Sequence, residues 1–488
     1  MDTPSLDTLI IGAGSAGLAA LREVRKRTER FVLINDGPYG TTCARVGCMP
    51  SKLLIEAANA YHQRHTLGEF GITGADGLAA DLPAVLRRLR RLRDDFVAGA
   101  RQITDALGAR SIAGRARLLG PQQVQVNGTS GTIYHAKSII LAPGSKPVLP
   151  PEWRALGDRI LTTDTLFEQA TLGPRIAVIG LGPVGVELAQ ALARLGLQVT
   201  GYATSEWLGG LSDPAVNTSL HEALARDFSL HTGPAATLHT IPDGSGGISG
   251  IEVRSGEHRS VVDHVLVAIG RRPQLACLGL DTLGVALDDK GMPPVNPQTM
   301  QIANLPVYLA GDAHNHRPLL HEAADEGHIA GMNALAPATR CYQRRTPLAI
   351  VFSDPNAAVI GQSLRALQAQ SDLVLVTGSI DFARQGRARA SQHHHGRLNV
   401  YADQTSGRLL GAELCAPAGE HLAHLLALAI DQQLTVGQLL GMPFYHPVLE
   451  EGLRTALRDA ARQLDPARTS VQASDLATCD AIGAEALD

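Results

Sequence analysis

Short apolar runs of strand length alternate with helix-forming stretches along the first two thirds of the chain. The run Leu6 to Ile11 is followed by a helix-forming segment to about Arg27, and FVLI at 31–34 is a second apolar run. A later run, RIAVIG at 175–180, precedes another helix-forming segment and the strand-like LQVTGY. Alternation of strands with helices is typical of parallel sheets, so the pattern predicts two βαβ units.

Further elements are predicted around these two units. Residues 53–105 should form two helical segments, and in the second, LPAVLRRLRRLRDDF, we interpret the arginine run as a solvated face. Short strands are predicted at 111–133, and a helix is predicted at 319–333. The runs VLVAIGRRP at 265–273 and VYLAGDAHN at 307–315 are predicted to be buried strands, both returning to the first sheet.

The pattern changes from about Thr346. Alternating apolar positions in LAIVF, LVLV, NVYA and LLGAEL predict strands, followed by a helix at 420–432 and a last helix that ends near Leu464. Because this segment lacks a glycine-rich turn of its own, it is predicted to be a separate α+β domain. The small, acidic tail at 465–488 is expected to be poorly ordered.

Each βαβ unit carries a glycine pattern at its first turn. The first reads GAGSAG at 12–17 and the second GLGPVG at 180–185. Such glycines permit a tight turn and let a pyrophosphate approach the amides at the helix N-terminus. The glycines alone are a weak signal, but strands on both sides make a dinucleotide site much more specific. Two units in one chain indicate two nucleotides between which electrons pass.

The end of the second strand of each unit bears on ribose recognition. In the first unit Asn35 and Asp36 stand there, so the ribose contact is expected from the amide or from the neighbouring carboxylate. In the second unit Ala203 stands there, followed by TSE, with neither an acid for NAD nor an arginine for a 2′-phosphate. The sequence leans towards NAD and leaves NADP open.

The stretch GTTCARVGCMPSK at 40–52 holds Cys43 and Cys48, five residues apart. At that spacing the two lie on neighbouring helical turns, where a disulfide is sterically reachable. The loop it would close is too small to stabilise the fold much, so a redox role explains the pair better. Metal binding would need a second ligand pair, which the sequence lacks, and two buried free thiols are the structural alternative.

Composition narrows the class of protein. A chain of 488 residues should divide into roughly three domains. Its net charge of -4 gives no basic field, so we expect no nucleic-acid partner. Six cysteines in this chain do not form a secreted disulfide framework, the N-terminus lacks a basic signal region, and no apolar run reaches the length of a membrane span. These features predict a soluble, cytoplasmic protein without a membrane partner.

A late motif completes the pattern of nucleotide units and cysteines. HPVLEE at 446–451 contains a His-Pro dipeptide with Glu451 five residues after His446. In this order the motifs resemble those of the FAD-dependent pyridine nucleotide disulfide oxidoreductases. GTTCARVGCMPSK resembles the family's GGTCxNxGCxPSK, and HPVLEE resembles its HPTxxE. The resemblance covers about residues 5–465, nearly the whole chain.

The resemblance implies roles for four side chains near the flavin. Cys48 would be the thiol against the flavin, and Cys43 the outer thiol that exchanges with substrate. Lys52 and Glu187 would form an ion pair beside the flavin N5. A cation there would stabilise reduced flavin and a nearby thiolate.

His446 and Glu451 resemble the family's acid/base dyad. An imidazole moves protons near neutral pH, and a carboxylate fixes its tautomer. Since the C-terminal domain is the family's dimer interface, the histidine should reach the disulfide of a partner subunit, and the active site would require a homodimer.

The implied fold class is α/β, with two Rossmann-like dinucleotide-binding domains for FAD and NAD(P) and a C-terminal α+β dimerisation domain. The predicted divisions are 1–147, the first part of the FAD domain; 148–274, the NAD(P) domain; 275–343, the second part of the FAD or central domain; 344–466, the dimerisation domain; and 467–488, a tail.

The cofactors expected from the resemblance are FAD and NAD, with NADP not excluded. No residue is assigned to a metal. The residues expected to contact the cofactors are Gly12, Gly14, Ser15, Ala16, Gly17, Asn35, Asp36, Thr42, Lys52, Ala116, Gly144, Ser145, Gly180, Gly182, Pro183, Val184, Gly185, Glu187, Ala203, Gly270, Arg271, Gly311, Asp312 and Leu320.

Four positions depart from the family pattern. Thr41 replaces a glycine, Pro143 a threonine and Asn35 the ribose-binding glutamate, but none of these removes a reacting group. Pro183 occupies a position beside the nicotinamide pocket of relatives, so the sequence does not predict how nucleotide entry is gated.

The first functional hypothesis is dihydrolipoyl dehydrogenase chemistry. A small dithiol, or a lipoyl group on a carrier protein, would be oxidised by exchange with Cys43, and NAD+ would take the hydride by way of FAD. The alternatives are another NAD(P)H-dependent disulfide or mercuric reductase, a soluble transhydrogenase or NADH oxidase that would not need both cysteines, and a non-enzymatic scaffold. Cys479 is interpreted as a spectator, and His393 to His395 receive no role. The disulfide substrate and any 2-oxo acid dehydrogenase complex stay open.

Overall fold

A computed structural model of the protein describes residues 5–127, 131–243 and 247–464. The predicted tail at 467–488, with Cys479, lies outside these residues. Within the described part, no helix combines the length and apolar character that crossing a membrane requires.

The first unit is built on a largely parallel sheet. Its strands are β1 (Leu6–Ile11), β2 (Phe31–Asn35), β3 (Ser111–Ala113), β4 (Ala116–Gly120), β5 (Gln123–Val126), β6 (Ile133–Leu141) and β17 (Val307–Leu309). β1 pairs in parallel with β2 and β6, β3 pairs with β2, and β17 returns from far along the chain to pair with β6. β4 and β5 extend β6 in antiparallel fashion. The carboxyl ends of β1, β6 and β17 therefore lie at one edge of the sheet.

Helices cover this sheet and carry the cysteine stretch. They are α1 (Ser15–Val24), α2 (Thr42–Val46), α3 (Cys48–His62), α4 (Leu82–Asp105) and α8 (Leu320–Ala334). α1 and α8 pack closely, because Gly327 and Gly331 of α8 have no side chains to hold the two helices apart. A Cβ on Gly327 would lie 2.0 Å from the Ala16 carbonyl oxygen, and a Cβ on Gly331 would lie 2.6 Å from the Ala20 carbonyl oxygen. Glycine is thus required at both positions.

The arginine run of α4 does not lie wholly in solvent. Arg93 is buried and pairs with Asp94 and Glu168, and Arg90 donates a hydrogen bond to the Phe167 carbonyl. The interpretation of this run as a solvated face is therefore wrong for these two residues. Their apolar stems pack against protein while the guanidinium groups find oxygen partners.

The second unit is built on an all-parallel sheet, with a smaller antiparallel sheet beside it. Its strands and helices are β8 (Ile160–Leu161), β9 (Arg175–Ile179), β10 (Gln198–Ala203), β11 (Ser229–Thr232), β12 (Thr237–Pro242), β13 (Ile248–Ser255), β14 (His258–Val262), β15 (His264–Val267), α5 (Thr163–Leu166), α6 (Pro183–Arg194) and α7 (Pro214–Leu224). The parallel order is β11-β10-β9-β15-β8, and β12, β13 and β14 form the antiparallel sheet.

β15 corrects one prediction. The run at 265–273 does not return to the first sheet, because β15 pairs with β8 and β9 of the second. An apolar run does not show which of two similar sheets receives it. Only the run at 307–315 returns to the first sheet, as β17.

A two-stranded ribbon lies where the chain passes between the two units. β7 (Ser145–Pro147) pairs in antiparallel fashion with β16 (Arg271–Pro273). β7 follows the first sheet and β16 follows the second, so the outward and return crossings lie side by side and bring Ser145 next to Arg271.

The third unit is an antiparallel sheet in the order β18-β19-β22-β21-β20. Its elements are β18 (Leu348–Val351), β19 (Asn356–Gly361), β20 (Leu375–Asp381), β21 (Arg397–Asp403), β22 (Leu409–Ala416), α9 (Leu364–Gln368), α10 (Gly386–Ala390), α11 (Gly419–Asp431), α12 (Val436–Leu440) and α13 (Glu450–Ala461). α11 packs on β19 and β22, and α13 packs on β20 and β21. The predicted α/β class with two Rossmann-like units and a C-terminal α+β unit is confirmed, while the exact divisions stay predictions.

Candidate active site

The first glycine turn leaves one open position between two crowded ones. Gly12 has φ +106°, and a Cβ there would lie 2.1 Å from the Ala142 carbonyl oxygen. A Cβ on Gly17 would lie 1.9 Å from the Gly12 carbonyl oxygen. A Cβ on Gly14, the N-cap of α1, would meet no atom within 4 Å. The turn thus leaves open backbone at the helix N-terminus, where a pyrophosphate fits.

The second glycine turn repeats this geometry. Gly180 has φ +94°, and a Cβ there would lie 2.5 Å from the Ala268 carbonyl oxygen. A Cβ on Gly185 would lie 1.8 Å from the Gly180 carbonyl oxygen, whereas Gly182 is again open. Both turns therefore suit a dinucleotide. In each turn, packing requires glycine at the two outer positions, and the middle glycine leaves room for a ligand.

A cavity of about 470 Å³ opens at the second turn. At the end of β10 its wall consists of Ala203, Thr204, Ser205 and Trp207, without an acid or an arginine at the strand end. The predicted cofactor residues that line this cavity are Gly180, Gly182, Pro183, Val184, Ala203, Gly270 and Arg271. Its volume is in the range of small-molecule sites.

A hydrogen-bonded network joins the ribbon to the first turn. The Ser145 hydroxyl donates to Asp312 Oδ2 at 2.7 Å, and Arg271 donates to Ser145 Oγ at 2.8 Å. Gly311 has φ +77°, and a Cβ there would lie 2.7 Å from the Ala16 Cβ. Asp312 therefore stands beside the first glycine turn, where a carboxylate can bind the hydroxyl groups of a nucleotide chain.

Asn35 and Asp36 already have protein partners. Asn35 Oδ1 accepts a hydrogen bond of 3.0 Å from the Ala13 amide, inside the first glycine turn. Asp36 forms a 2.7 Å ion pair with Arg115. Asn35 thus holds the turn itself, and the ribose contacts assigned to both residues stay predictions.

The remaining predicted cofactor residues differ in their exposure and in the elements that carry them. Ser15 begins α1, and Thr42 is exposed at the start of α2. Ala116 is buried in β4, so only its main chain could contact a ligand. Gly144 has φ +72° with open space where a Cβ would stand, and Leu320 is exposed at the start of α8.

A break between two helices brings the cysteines together. α2 ends at Val46 and α3 begins at Cys48, so the pair does not lie on one helix as its spacing suggested. A Cβ on Gly47 would lie 3.3 Å from the Cys43 Cα, which shows how tightly the chain folds there. Both cysteines are free thiols in this structure, and each side chain shifts the pKa of the other.

The two thiols differ in acidity. The hydrogen bond from Cys43 and the charge of Lys52 lower the pKa of Cys48 to about 7, against partial desolvation and the Glu187 carboxylate. The same hydrogen bond, together with burial, raises the pKa of Cys43. In the reduced pair the thiolate therefore resides on Cys48.

The structure brings Lys52 and Glu187 together beside the cysteines. Lys52 Nζ donates to the two Glu187 carboxylate oxygens at 2.9 Å and 2.8 Å. The Phe352 amide also donates to Glu187 Oε1 at 2.9 Å, and Lys52 Nζ lies 4.2 Å from the centre of the Phe352 ring. Glu187 is buried, so the lysine and the amide satisfy its charge.

His446 and Glu451 form a hydrogen-bonded pair on the third unit. His446 Nδ1 lies 3.1 Å and 3.2 Å from the two Glu451 oxygens, and the Val448 amide and Arg454 also donate to this carboxylate. Burial opposes ionisation of Glu451, but the hydrogen bonds from His446 and Val448 hold its pKa below the usual value. The His446 side chain is 81% exposed, which leaves its Nε2 edge accessible.

Three residues near these groups were not predicted. Phe352 ends a plain apolar run, which gives no sign that its amide and ring contact the ion pair. Trp207 lines the second cavity, and the Arg365 guanidinium lies 5.3 Å from the centre of its ring. Arg365 comes from the third unit, so no local pattern could place it there.

Comparison with known proteins identifies the class. The pyridine nucleotide-disulphide oxidoreductase family matches residues 6–327, and the dimerisation domain of the same family matches residues 348–457. The chain belongs to this family. Its cofactors are FAD and NAD(P)H, and the match to the dimerisation domain supports a homodimer.

Curated relatives extend over almost the whole chain. It is 29% identical to dihydrolipoyl dehydrogenase of Chlamydia pneumoniae, over 92% of this chain and 95% of the relative. It is 30% identical to the dihydrolipoyl dehydrogenase of Thermus scotoductus, over 94% and 98%. Among solved structures, LpdA from Mycobacterium tuberculosis matches with a TM-score of 0.79 and 24% identity, covering 93% of this chain and 99% of that one.

A second solved structure is similar in fold. It is the Cu(II) complex of the HOCl-induced flavoprotein disulfide reductase RclA from Escherichia coli, with a TM-score of 0.80 and 20% identity. It covers 93% of this chain and 99% of that one. At this identity the likeness shows the shared fold.

Proposed function

We propose that this protein oxidises a dihydrolipoyl dithiol with NAD+, as a dihydrolipoyl dehydrogenase. The observation that carries the proposal is the cysteine pair at the start of α3, one helical turn from the Lys52–Glu187 ion pair, where Cys43 and the charge of Lys52 lower the pKa of Cys48 to about 7. Such a pair suits thiol-disulfide exchange. The dihydrolipoyl dehydrogenases that match at 29% and 30% identity support the choice of a lipoyl substrate.

In the proposed exchange the Cys43–Cys48 disulfide is the resting oxidant. A substrate thiolate attacks the Cys43 sulfur, so a substrate–Cys43 bond forms as the Cys43–Cys48 bond breaks, and the electron pair stays on Cys48. The second substrate thiolate then displaces Cys43, which closes the substrate disulfide and leaves the enzyme with two reduced cysteines. The substrate loses two electrons and two protons in these steps.

The residue environments support this division of labour. A thiol of low pKa is the better leaving group, so breaking the bond towards Cys48 is favoured, and Lys52 stabilises the thiolate that results. Cys43, whose pKa is raised, is the better acceptor of a proton at the end of the exchange. When bound, FAD supplies the transfer of the electron pair from the dithiol to NAD+.

The proton carrier is proposed to be His446 of a second copy of the chain. His446 takes the proton of the attacking substrate thiol, and Glu451 fixes its Nδ1 tautomer and stabilises the imidazolium. The exposed imidazole, on the unit that matches the family's dimerisation domain, supports this assignment. The natural substrate would be free dihydrolipoamide or a lipoyl group on a carrier protein, and the cytoplasmic location stays a prediction.

NAD is proposed as the preferred nucleotide. No arginine stands at the end of β10 to pair with a 2′-phosphate, since the cavity wall there is Ala203, Thr204 and Ser205. Arg365, over the Trp207 ring, is the cation that could change this preference. The ratio of kcat/KM for NADH to that for NADPH measures the preference of the native protein. The same ratio in Arg365→Gln measures how far Arg365 changes that preference.

The proposed function is tested by steady-state turnover of the holoenzyme. Dihydrolipoamide with NAD+ should give NADH, and glutathione disulfide with NADH or NADPH should be turned over at least about a hundredfold more slowly. Cys43→Ser should abolish the first reaction, whereas Cys277→Ser, at an exposed cysteine, serves as the matched control. Faster turnover of glutathione disulfide would contradict the lipoyl assignment.

A further inference from the structure

A second cavity lies where the three units meet. It has a volume of about 470 Å³ and is lined from the first unit by the end of α3 and the turn that follows, from the second by the ends of α6 and α7, and from the third by residues around Asp354 and by 392–395. It shares no lining residue with the nucleotide cavity at the second glycine turn. Nothing in the proposed dithiol chemistry uses it.

The lining of this junction cavity is rich in basic side chains. Four histidines line it, namely His62, His65, His393 and His395. Three arginines also line it, against two carboxylates, those of Asp227 and Asp354. With neutral imidazoles the lining therefore carries an excess positive charge, which grows as the histidines take up protons.

Both carboxylates are already held by one arginine. Arg194, whose side chain is only 6% exposed, donates through Nε to Asp227 at 3.0 Å and through Nη1 to Asp354 at 2.8 Å. Gln190 donates to Asp227 as well, at 2.8 Å. Arg194 and the two carboxylates thus form a satisfied bridge between the second and third units, and little of their charge is left for a cation.

Within the described part of the chain, the other two arginines have no carboxylate partner. Arg64 stacks on the Tyr61 ring and donates to the Tyr61 carbonyl, a neutral group. Arg226 has no ion pair among the residues that the structure describes, and its charge instead acts on His395. These two guanidinium groups are the ones available to a ligand.

The positive charge of the lining acts on the half-buried His62. Burial lowers the pKa of His62, and Arg194 and His65 lower it further, against the opposing effects of Asp227 and Asp354. An anion in the cavity would reverse the effect of the arginines, because a negative charge favours the imidazolium form. Anion binding and proton uptake would then be coupled.

His395 faces a similar set of charges. Burial lowers its pKa most, and the charges of Arg226 and His394 lower it further. The carboxylates of Asp381 and Asp354 act in the opposite direction. His62 and His395 come from the first and third units, so a ligand between them would contact side chains of both.

We propose that the junction cavity binds a multivalent anion of the phosphate class. Guanidinium groups and protonated imidazoles donate charge-assisted hydrogen bonds to phosphate oxygens, and the planar guanidinium can donate two at once. The cavity is larger than a single phosphate needs, so a di- or triphosphate is the expected occupant. A metal ion is disfavoured because, within the described residues, no group of three or more His, Cys, Asp or Glu side chains is arranged to hold one.

The cavity is connected to the redox site through two packed helices. α3 begins at Cys48, carries Lys52 and ends at His62, and α6 carries Glu187 and ends at Arg194. At 1.5 Å per residue the ten residues from Lys52 to His62 span about 15 Å. The anion site is therefore separate from the nucleotide cavity at the second glycine turn but lies on the same two helices that form the Lys52–Glu187 pair.

Isothermal titration of the holoenzyme with inorganic phosphate, pyrophosphate and triphosphate tests the proposal. At constant ionic strength, triphosphate should bind at one site per chain, at least about tenfold more tightly near pH 6 than near pH 8. Heats in buffers of different ionisation enthalpy should show proton uptake. Citrate, a multivalent carboxylate, should bind at least about tenfold more weakly than triphosphate.

Variants locate the site. Arg226→Gln should weaken triphosphate binding at least about tenfold, whereas Arg88→Gln, which removes an exposed arginine on α4, should leave it unchanged. His395→Gln should flatten the pH dependence while keeping binding near pH 8. Thermal unfolding of each variant shows whether it is folded, so that a loss of binding is interpretable.

Three results would overturn the proposal. These are no saturable triphosphate binding at either pH, equal effects of Arg226→Gln and Arg88→Gln in folded protein, or affinity that rises with pH. Equal binding of citrate would overturn the assignment to phosphate-class anions. None of these outcomes depends on the dithiol reaction, so the two proposals stand or fall separately.

Discussion

Lys52 and Glu187 stand 135 residues apart in the sequence, yet the lysine Nζ lies within 2.9 Å of both carboxylate oxygens. Lys52 is one turn along α3 from Cys48, and Glu187 lies in α6 just after the second glycine turn. The ion pair therefore ties the helix that begins at Cys48 to the unit that carries the second glycine turn.

Removing the lysine charge should make Cys48 less acidic. In Lys52→Met the pKa of Cys48 should rise by about one unit or more, because the cation that lowers it is gone. The buried Glu187 would lose its partner, and the free energy of unfolding should fall by about 2 kcal/mol. Thiolate absorbance against pH and denaturant unfolding measure the two effects.

Lys290→Met is the matched control. Lys290 is exposed and its side chain has no partner among the described residues, so its loss should change unfolding by less than about 0.5 kcal/mol. An unchanged Cys48 titration in Lys52→Met would show that the lysine does not act on the thiol.

The reduced enzyme should titrate near pH 7. The pKa of Cys48 is lowered to about 7, so its thiolate should be present above that pH and lost below it. Because the folded pKa is below that of a free thiol, the contribution to stability is complete above the usual thiol range and disappears as pH falls through 7. Ultraviolet thiolate absorbance of the reduced protein, with Cys48→Ser as the blank, measures the midpoint.

The partner cysteine accounts for much of this shift. Cys43→Ala removes the hydrogen bond to Cys48, so the midpoint should move upwards, towards the pKa of an ordinary thiol. A midpoint that stays near 7 in Cys43→Ala would contradict the assigned hydrogen bond.

His446 should act across a dimer. His446→Gln should lower dihydrolipoamide turnover by about a hundredfold to ten-thousandfold, since general acid–base catalysis contributes about that much. Mixing refolded or co-expressed His446→Gln and Cys43→Ser chains should restore activity. Random dimers would regain about a quarter of the native rate, because half are mixed and each of these holds one complete site. No recovery in isolated mixed dimers would contradict a shared site.

The local features of the site could be predicted from the sequence, because each is set by residues close together in the chain. The glycine turns are of this kind, since Gly17 has to be small where it faces the Gly12 carbonyl only five residues away. Family resemblance added the pairings of side chains, and the structure brings together two of them, the distant Lys52 with Glu187 and the nearby His446 with Glu451.

Other features depend on contacts that no local pattern specifies. The run that contains β15 is equally apolar whichever sheet receives it, and Arg93 looks like a surface residue until Glu168 is placed beside it. The junction cavity is formed by all three units, so no sequence pattern predicted that His62 and His395 would line the same cavity.

The open and the crowded glycines of the second turn should differ in how well they tolerate a side chain. Gly182→Val points into open space, so it should keep the melting temperature within about 2 °C and raise KM for NADH at least about tenfold. Gly185→Val would place its Cβ 1.8 Å from the Gly180 carbonyl oxygen and should prevent folding of the second unit. Equal melting temperatures for the two variants would contradict the assigned packing role.

The most direct test of the account is peptide mass spectrometry of the holoenzyme, alkylated before and after anaerobic reduction by stoichiometric NADH. We predict a Cys43–Cys48 disulfide peptide in the oxidised enzyme, and its replacement by two alkylated cysteines after reduction. The exposed Cys277 and Cys341 should label equally in both states. Free and equally labelled Cys43 and Cys48 before and after NADH would contradict the redox role of the pair.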